Sequence, residues 1–187
     1  MAAYGKSEHP KVQLDGRSLG LPVVHQSGDD EFLLDIGDVN TADVDELLEI
    51  FEEVLKDGQS YPQESTTRQA FVDYFFGLYT FVVRSSKVST GSQKGKVVAG
   101  FYIKSNFPGR SSHLANYGIM VHSAFRGKGL ANFMVEQCVR LAPLVGFKAL
   151  YTNLVYTTNI ASIKTCQKYG FSQVGRVPKA GLLKGLG

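Results

Sequence analysis

GIMVHSAFRGKGLANFM, residues 118–134, joins both kinds of regular element in one short stretch. Its apolar first part, up to Val121, has the composition of a buried strand. From Leu130 to Val145 apolar residues recur at helical spacing, which predicts a helix directly after a short loop. A strand that leads into a helix in this way indicates a protein that combines a sheet with helices.

The chain extends this pattern in both directions. Upstream, the sequence predicts a strand over 32–36, helices over 41–57 and 65–76, and strands over 80–85, 96–106 and 113–122. Downstream of the helix at 129–145, it predicts a strand over 147–156, a helix over 159–170 and a last strand over 171–178. The order β-α-α-β-β-β-α-β-α-β indicates an α/β (α+β) fold, with a mixed sheet and helices on both faces.

Composition limits the domain organisation and the cellular setting. Residues 1–30 show no period and predict a flexible N-terminal leader or a loosely attached strand, while 31–187 predict a single globular domain. No apolar run approaches the roughly 20 residues of a membrane helix. Cys138 and Cys166 are far apart and fit no zinc-ligand spacing, so we expect reduced thiols and no metal. A reducing compartment follows, with the cytoplasm as the expectation and the mitochondrion as an open alternative.

Charge is distributed unevenly along the chain. Residues 29–57 hold twelve acids and one base, and residues 58–187 hold sixteen bases and three acids. The acids belong mostly to the predicted helix at 41–57, where we expect them on its outer face. The basic part attracts polyanions, either a phosphorylated cofactor or a nucleic acid.

The loop 126–131, RGKGLA, has the features of an anion site. The first amides of a helix lack internal partners and lie at the positive end of its dipole. Gly127 and Gly129 leave the backbone open to an anionic oxygen, and Arg126 and Lys128 add positive charge. A small residue, Ala131, lets the helix pack closely; a plain turn would also explain the glycines.

Two common nucleotide motifs are excluded at this loop. A P-loop requires serine or threonine directly after its Gly-Lys pair, and here Gly127-Lys128 is followed by Gly129. A dinucleotide fingerprint requires glycine or alanine where this chain has Asn132.

The order of motifs resembles the Gcn5-related N-acetyltransferase (GNAT) superfamily over residues 32–178. Its acetyl-CoA motif, Gln/Arg-x-x-Gly-x-Gly/Ala, is matched by Arg126, Gly129 and Ala131. Its next block, Asn-x-x-Ala/Ser followed by Gly-Phe, is matched by Asn159, Ser162 and Gly170-Phe171. The resemblance implies a mostly antiparallel sheet, acetyl-CoA as cosubstrate, and direct attack by an amine in a ternary complex.

The same resemblance implies a set of cofactor-binding residues. They are Met120, Val121, Arg126, Gly127, Lys128, Gly129, Leu130, Ala131, Asn159 and Ser162. The amides of the loop would bind the pyrophosphate, and the strand at Met120 and Val121 would pair with the pantetheine arm.

A closer resemblance joins the chain to fungal acetyltransferases that detoxify azetidine-2-carboxylate and related proline analogues. It is carried by YPQ, GFYIKSNFPGRSSH, APLVGFK, TNLVYTTNIAS and GRVPKAGLL, over about residues 61–183. It implies a small-molecule amine as acceptor and a catalytic role for Asn116, Asn153 and Asn159. Asparagine is disfavoured in strands, which favours a site role for Asn116 and Asn153, whereas Asn159 is also a candidate helix cap.

The chain departs from the superfamily at the proton donor. Many members have a tyrosine seven residues after the conserved asparagine, and here that position is Cys166. Cys166, Tyr169 or water would protonate the leaving thiolate, or the thiolate leaves unassisted. No carboxylate is an obvious base, and His113 is a further candidate that a structural role explains as well.

Three hypotheses about the function follow from these observations. The first is an N-acetyltransferase for a proline analogue; the second acetylates another amine, such as a polyamine, peptide or protein. The third is a non-catalytic CoA-binding or nucleic-acid-binding module, of which nucleic-acid binding is the less expected. The resemblance also implies a homodimer and a seventh strand after the segment VPKAGLL, residues 177–183. This sequence stops at Gly187, so we expect either a truncated sequence or a sheet that another subunit completes.

Overall fold

The computed structural model describes residues 13–87 and 94–185. A hairpin of β1 (Val23–Ser27) and β2 (Asp30–Ile36) is followed by α1 (Asp43–Asp57), α2 (Arg68–Phe75), β3 (Tyr79–Ser85), β4 (Val97–Ser105) and β5 (Leu114–Val121). After β5 come α3 (Leu130–Leu144), β6 (Ala149–Leu150) and α4 (Ile160–Lys168).

The six strands form one sheet in chain order, from β1 to β6. Every neighbouring pair is antiparallel except β5 and β6, which are parallel. The mixed, mostly antiparallel sheet of an α/β (α+β) fold is therefore confirmed.

Apolar side chains bury both faces of this sheet. α1 and α2 cover one face, where Phe51, Phe71 and Phe75 pack near Val82, Tyr102 and Met120. α3 covers the other face, where Leu130, Met134 and Leu141 pack near Phe81 and Phe101. Because β3 and β4 are covered on both sides, they are almost continuously buried, and this explains why their sequences hardly alternate.

α1 begins and ends near the predicted residues, but one of its acids is not on the outer face. Asp43 is 3% exposed and its Oδ1 forms a 2.5 Å ion pair with Nη2 of Arg84. An acid at the first turn of a helix complements the helix dipole, and here it also neutralises a buried guanidinium. Gly58, with φ of 66°, ends the helix in a left-handed conformation.

For residues 23–27 the structure contains the strand that the sequence offered as the alternative to a flexible leader, and this strand is β1. β1 pairs with β2 across a tight turn at Gly28-Asp29. The His25 ring stacks on Phe133 of α3 with centroids 4.8 Å apart, which fixes the strand to the domain. Residues 1–12 of that predicted leader lie outside the described residues.

The predicted strands after α3 are also shorter or absent. Only Ala149–Leu150 of the strand predicted over 147–156 is paired, and Leu154 has a left-handed φ of 48° that interrupts extended chain. No strand forms over 171–178, where Val174 and Val177 are 80% and 70% exposed with no strand beside them. In the domain predicted over 31–187, residues 88–93 and 186–187 are not described.

Candidate acetyl-CoA and acceptor site

The loop between β5 and α3 presents backbone rather than side chains at the start of the helix. A short 3-10 turn at Ser123–Phe125 leads into Gly127 and Gly129, with φ of 81° and 75°. α3 then begins at Leu130 without a side-chain cap. Its first amide groups are therefore available to an external acceptor.

The two glycines are required by backbone conformation more than by crowding. A Cβ atom at Gly127 would have no neighbour within 4 Å, and one at Gly129 would lie 3.5 Å from Nε2 of His25. Left-handed φ values favour glycine strongly, because other residues pay a steric cost there. The loop consequently keeps both the required conformation and open space in front of its amides.

The two cations of the loop are already ion-paired. Nη2 of Arg126 lies 2.7 Å from Oδ2 of Asp57, and Nζ of Lys128 lies 2.5 Å from Oδ2 of Asp30. Hydrogen bonds from Lys128, and then from Lys87, lower the pKa of Asp30 to about 2. The positive charge of these two side chains is thus partly neutralised by the acids. The backbone amides at the start of α3 therefore remain the main groups that can attract an anion.

The C-terminal part of α1 contacts the loop between β5 and α3. Oε2 of Glu53 accepts a 3.0 Å hydrogen bond from the amide of Ser123. Hydrogen bonding to the side chain of Ser123, and to a smaller extent to its amide, lowers the pKa of Glu53. With the pair between Asp57 and Arg126, two acids near the end of α1 fix the approach to α3. The sequence offered no signal for this contact, because it joins residues about seventy positions apart.

β5 and β6 part after Ala115, well before β5 ends at Val121 and the loop begins. Their pairing is limited to Leu114 with Ala149 and Ala115 with Leu150, followed by one hydrogen bond from the amide of Tyr151 to Ala115. Within the described residues, the rest of β5 has no strand neighbour on that side. Met120 and Val121 lie on this unpaired portion, at the end that leads to α3.

Asn116 and Asn153 lie where the strands part. Oδ1 of Asn116 accepts from the hydroxyl of Tyr102 (3.1 Å), and its Nδ2 donates to the carbonyl of Tyr151 (3.3 Å). Asn153, two residues beyond Tyr151, donates through Nδ2 to Oδ1 of Asn106 at 2.5 Å. Asn116 and Asn153 are thus at the same end of the sheet. Asn106 lies there as well, and the sequence did not indicate it as a candidate.

Asn159 is placed differently from the other two asparagines. Its Oδ1 accepts a 3.1 Å hydrogen bond from the amide of Ser162 and caps α4. The capping role that the sequence offered for Asn159 is therefore present. Within the described residues, no hydrogen bond joins Asn159 to Asn116 or Asn153. Ser162 therefore uses its amide within the helix.

A tyrosine hydroxyl lies beside Cys166, although from another element. The hydroxyl of Tyr117 in β5 is 3.4 Å from Sγ of Cys166 in α4. Burial, and next the contact with Cys166, raise the pKa of Tyr117, so its hydroxyl stays protonated. Sequence spacing along α4 could not have found Tyr117, because it approaches Cys166 from the sheet.

The part of the chain that the structure describes contains neither a candidate metal site nor a candidate membrane-spanning helix. It contains no group of three or more His, Cys, Asp or Glu side chains placed to hold a metal ion. None of its helices combines the length and the apolar character that crossing a bilayer requires.

The model of the acetyltransferase (GNAT) family matches residues 45–171, which include Asn116, Asn153, Asn159 and the loop before α3. N-acetyltransferase aca1 of Schizosaccharomyces pombe is 34% identical over 139 residues, 68% of this chain and 66% of aca1. The chain thus spans slightly less than two thirds of that relative.

Solved structures agree in fold. A GCN5-related N-acetyltransferase from Kribbella flavida is 26% identical with a TM-score of 0.72, covering 82% of this chain and 91% of the other. The yncA protein of Salmonella typhimurium, solved with its cofactor acetyl-CoA, is 17% identical with a TM-score of 0.68, covering 82% and 87%. As its two motif blocks predict, the chain belongs to the acetyltransferase (GNAT) family.

Proposed function

We propose that the chain is an acetyl-CoA-dependent N-acetyltransferase for a small amine, with a proline analogue such as azetidine-2-carboxylate as acceptor. One observation carries the proposal: β5 parts from β6 after Ala115, and the unpaired remainder of β5 leads through a short loop to the uncapped start of α3. A parted strand offers backbone groups to an amide-containing arm, and an uncapped helix start offers amides to a phosphate. Acetyl-CoA contains both chemical groups.

The residues of the loop would bind the pyrophosphate mainly through their backbone. The amides of Leu130 and Ala131 are at the start of α3, and Gly127 and Gly129 keep the approach open. Arg126 and Asp57 are 49% and 46% exposed, so this ion pair can open and let the guanidinium turn to a phosphate. The backbone of Met120 and Val121 would then pair with the pantetheine arm.

At the other end of the arm, the asparagines would position the acceptor. Asn116 and Asn153 lie where the strands part, and their amide groups can orient the amine or a water molecule that takes its proton. Because the Oδ1 atom of Asn159 is engaged by Ser162, its Nδ2 group is the part that can donate to the arm. The amine would attack the thioester carbonyl directly, and the CoA thiolate would leave either unassisted or with a proton from the Tyr117–Cys166 contact or water.

The test is a screen for acetyl-CoA-dependent release of free thiol. Azetidine-2-carboxylate, proline, polyamines and short peptides serve as acceptors, and enzyme without acceptor gives the background rate. We expect saturable release with the cyclic amino acids. Release only with polyamines or peptides would support the second reading, and no release with any amine would show a binding module.

Two further proposals concern the assembly and the compartment. We expect a homodimer, because the apolar side chains of Val174, Val177 and Leu182 are exposed and a second subunit could cover them. A monomeric molar mass in solution would contradict this expectation. Cys138 and Cys166 are unpaired thiols, which fits the cytoplasm as the proposed compartment.

A further inference from the structure

Lys104 is a half-buried cation whose charge is not matched by an acid. It lies on β4, directly opposite Asn116 of β5. Its Nζ atom donates to the carbonyl of Tyr74 (2.7 Å) and lies 3.8 Å and 4.2 Å from the ring centroids of Tyr74 and Tyr102. In residues 13–87 and 94–185, no carboxylate comes within ion-pair distance of it.

The surroundings of Lys104 form one connected group, which we call the lysine–tyrosine cluster: Lys104, Tyr74, Tyr102 and Asn116. The two tyrosine hydroxyls are 2.9 Å apart, and that of Tyr102 donates to Asn116. Asn116 in turn reaches the carbonyl of Tyr151, where β5 and β6 part. The cluster is therefore continuous with the proposed place of acetyl transfer.

The electrostatics of the cluster favour an anion. Burial raises the pKa of Tyr74 and of Tyr102, so both phenols stay neutral and the cluster carries a single positive charge. Burial lowers the pKa of Lys104 to about 8, which shows that the charge is poorly solvated in this environment. One carboxylate would supply the missing counter-charge.

A purely structural role explains less of this arrangement. The contact with the carbonyl of Tyr74 and the two cation–π contacts do tie α2 to the sheet. An apolar side chain would also pack between these two rings, without the cost of a half-buried charge. The cation has more to contribute to a ligand than to the fold.

We propose that Lys104 binds the carboxylate of the acceptor, so that the acceptors of this enzyme are amino acids rather than simple amines. The inference rests on the proposed acetyltransferase function. Asn116, on the neighbouring strand, would then position the rest of the acceptor. Recognition would combine one charge-assisted contact with hydrogen bonds at the point of transfer.

The first measurement needs no variant. Thiol release is measured with azetidine-2-carboxylate and its carboxamide, and with proline and prolinamide. We expect kcat/KM for each carboxylate to exceed that for its carboxamide by at least about tenfold, as for a partly buried charge contact. Equal rates within each pair would overturn the role of Lys104 and leave the acetyltransferase function standing. No release with any acceptor would instead remove the proposed function itself.

The second measurement uses Lys104→Met, which fills similar volume without charge, and Lys104→Arg, which keeps the charge. Lys168→Met is the matched control, because Lys168 also lies over a tyrosine ring, 5.2 Å from that of Tyr169. Lys104→Met should raise KM for the carboxylates at least about tenfold, change the carboxamides by less than about twofold, and be partly rescued by Lys104→Arg. Equal loss on both acceptors in a folded Lys104→Met protein would contradict the proposal.

The pH dependence separates carboxylate binding from a role of Lys104 as general base. The titratable groups that face Nζ are the phenols of Tyr74 and Tyr102, and Asn116 does not titrate. We measure kcat/KM on one carboxylate acceptor for wild type and for Lys104→Met, and take the ratio of wild type to variant at each pH. Because both enzymes use the same acceptor, the titration of its amine affects both values equally and drops out of the ratio. This ratio should fall above about pH 8, as Lys104 loses its proton. A ratio that rises toward high pH would identify a base and overturn the proposal.

Discussion

Gly129 connects the backbone conformation of the loop with its expected ligand. It has a φ of 75° and directly precedes the first residue of α3, so a glutamate there would bring a negative charge next to the first helix amides. Gly129→Glu should lower acetyl-CoA affinity at least about tenfold, because a carboxylate would replace hydrogen bonds to a charged group by repulsion. Calorimetric titration with acetyl-CoA measures the change.

Gly20→Glu is the matched control for that variant. Gly20 also has a positive φ, 63°, but lies beside Arg140, in the second half of α3 and away from its first turn. Both variants should lower the melting temperature through the cost of a left-handed non-glycine residue, roughly 1–2 kcal/mol. Equal acetyl-CoA affinity in the two variants would argue against the pyrophosphate site.

Asn159 combines a cap with a proposed catalytic role, and the two roles can be separated. Asn159→Ala should cost about 1 kcal/mol of stability and lower turnover by about an order of magnitude or more. Asn159→Ser keeps a capping oxygen but removes the amide, so it should restore the melting temperature and not the turnover.

Thr67→Ala provides the reference for loss of a cap alone. Thr67 caps α2 by accepting from the amide of Ala70 at 3.2 Å. We expect this variant to lower the melting temperature by a similar amount with wild-type turnover. Full turnover in Asn159→Ser would leave Asn159 with a capping role only.

At the scale of elements, α1 positions the loop through Glu53. Hydrogen bonding to Ser123 lowers the pKa of Glu53 in the folded state, so this contact stabilises the fold above the ordinary pKa of 4.5. The stabilisation is lost as pH falls through the lower folded value. It is below about 1 kcal/mol, since the side chain is 30% exposed.

The prediction compares wild type with Glu53→Ala by thermal unfolding. Wild type should melt at the higher temperature at about pH 7, and the difference should shrink as pH falls below 4.5 and Glu53 of the folded protein also takes up a proton. Glu53→Gln can still accept from Ser123 and should show little of this pH dependence. A difference that stays constant with pH would mean that Glu53 acts through packing.

The elements themselves were predictable where a period or a special residue fixed them. α3 follows from its apolar spacing, and α4 from the cap at Asn159. The position of β1 within residues 1–30 was not predicted, because consecutive Val23 and Val24 hide the alternation, and Val24 is 52% exposed. A strand was also predicted over 171–178, but an extended segment forms a strand only when a neighbour supplies hydrogen bonds.

The site was predictable in part, for a similar reason. Contiguous loop residues such as Gly127 and Gly129 are local features, and sequence can place them relative to a helix start. Lys104, Asn106 and Tyr117 come close to the proposed site residues through sheet register and through packing against other elements. A single sequence contains no direct record of such contacts.

At the scale of the whole molecule, folding interleaves the two charged parts of the sequence. Five acids from residues 29–57 pair with six bases from residues 58–187: Asp43 with Arg84, Asp45 with Arg68, Glu49 with Lys96, Asp57 with Arg126, and Asp30 with both Lys87 and Lys128. The basic excess that the sequence shows is therefore not an equally basic surface.

Charge pairing of this kind predicts weak binding to nucleic acid. A nucleic-acid-binding protein neutralises several phosphates with free cations, so its affinity falls steeply as salt concentration rises. Here Arg126 and Lys128, the two cations of the loop, are each held by an acid. We expect fluorescence anisotropy with a labelled duplex to show only weak association at low salt and none at physiological salt.

Asp30→Asn and Asp57→Asn make this prediction sharper, because they release Lys128 and Arg126 without changing the backbone loop. Each should tighten acetyl-CoA binding about threefold at low salt, as expected for exposed charges, and the gain should disappear at high salt. Duplex binding should rise only slightly, since two freed cations replace far fewer counterions than a nucleic-acid interface does. Tight duplex binding by wild type, with a steep salt dependence, would instead restore the nucleic-acid reading of the basic residues.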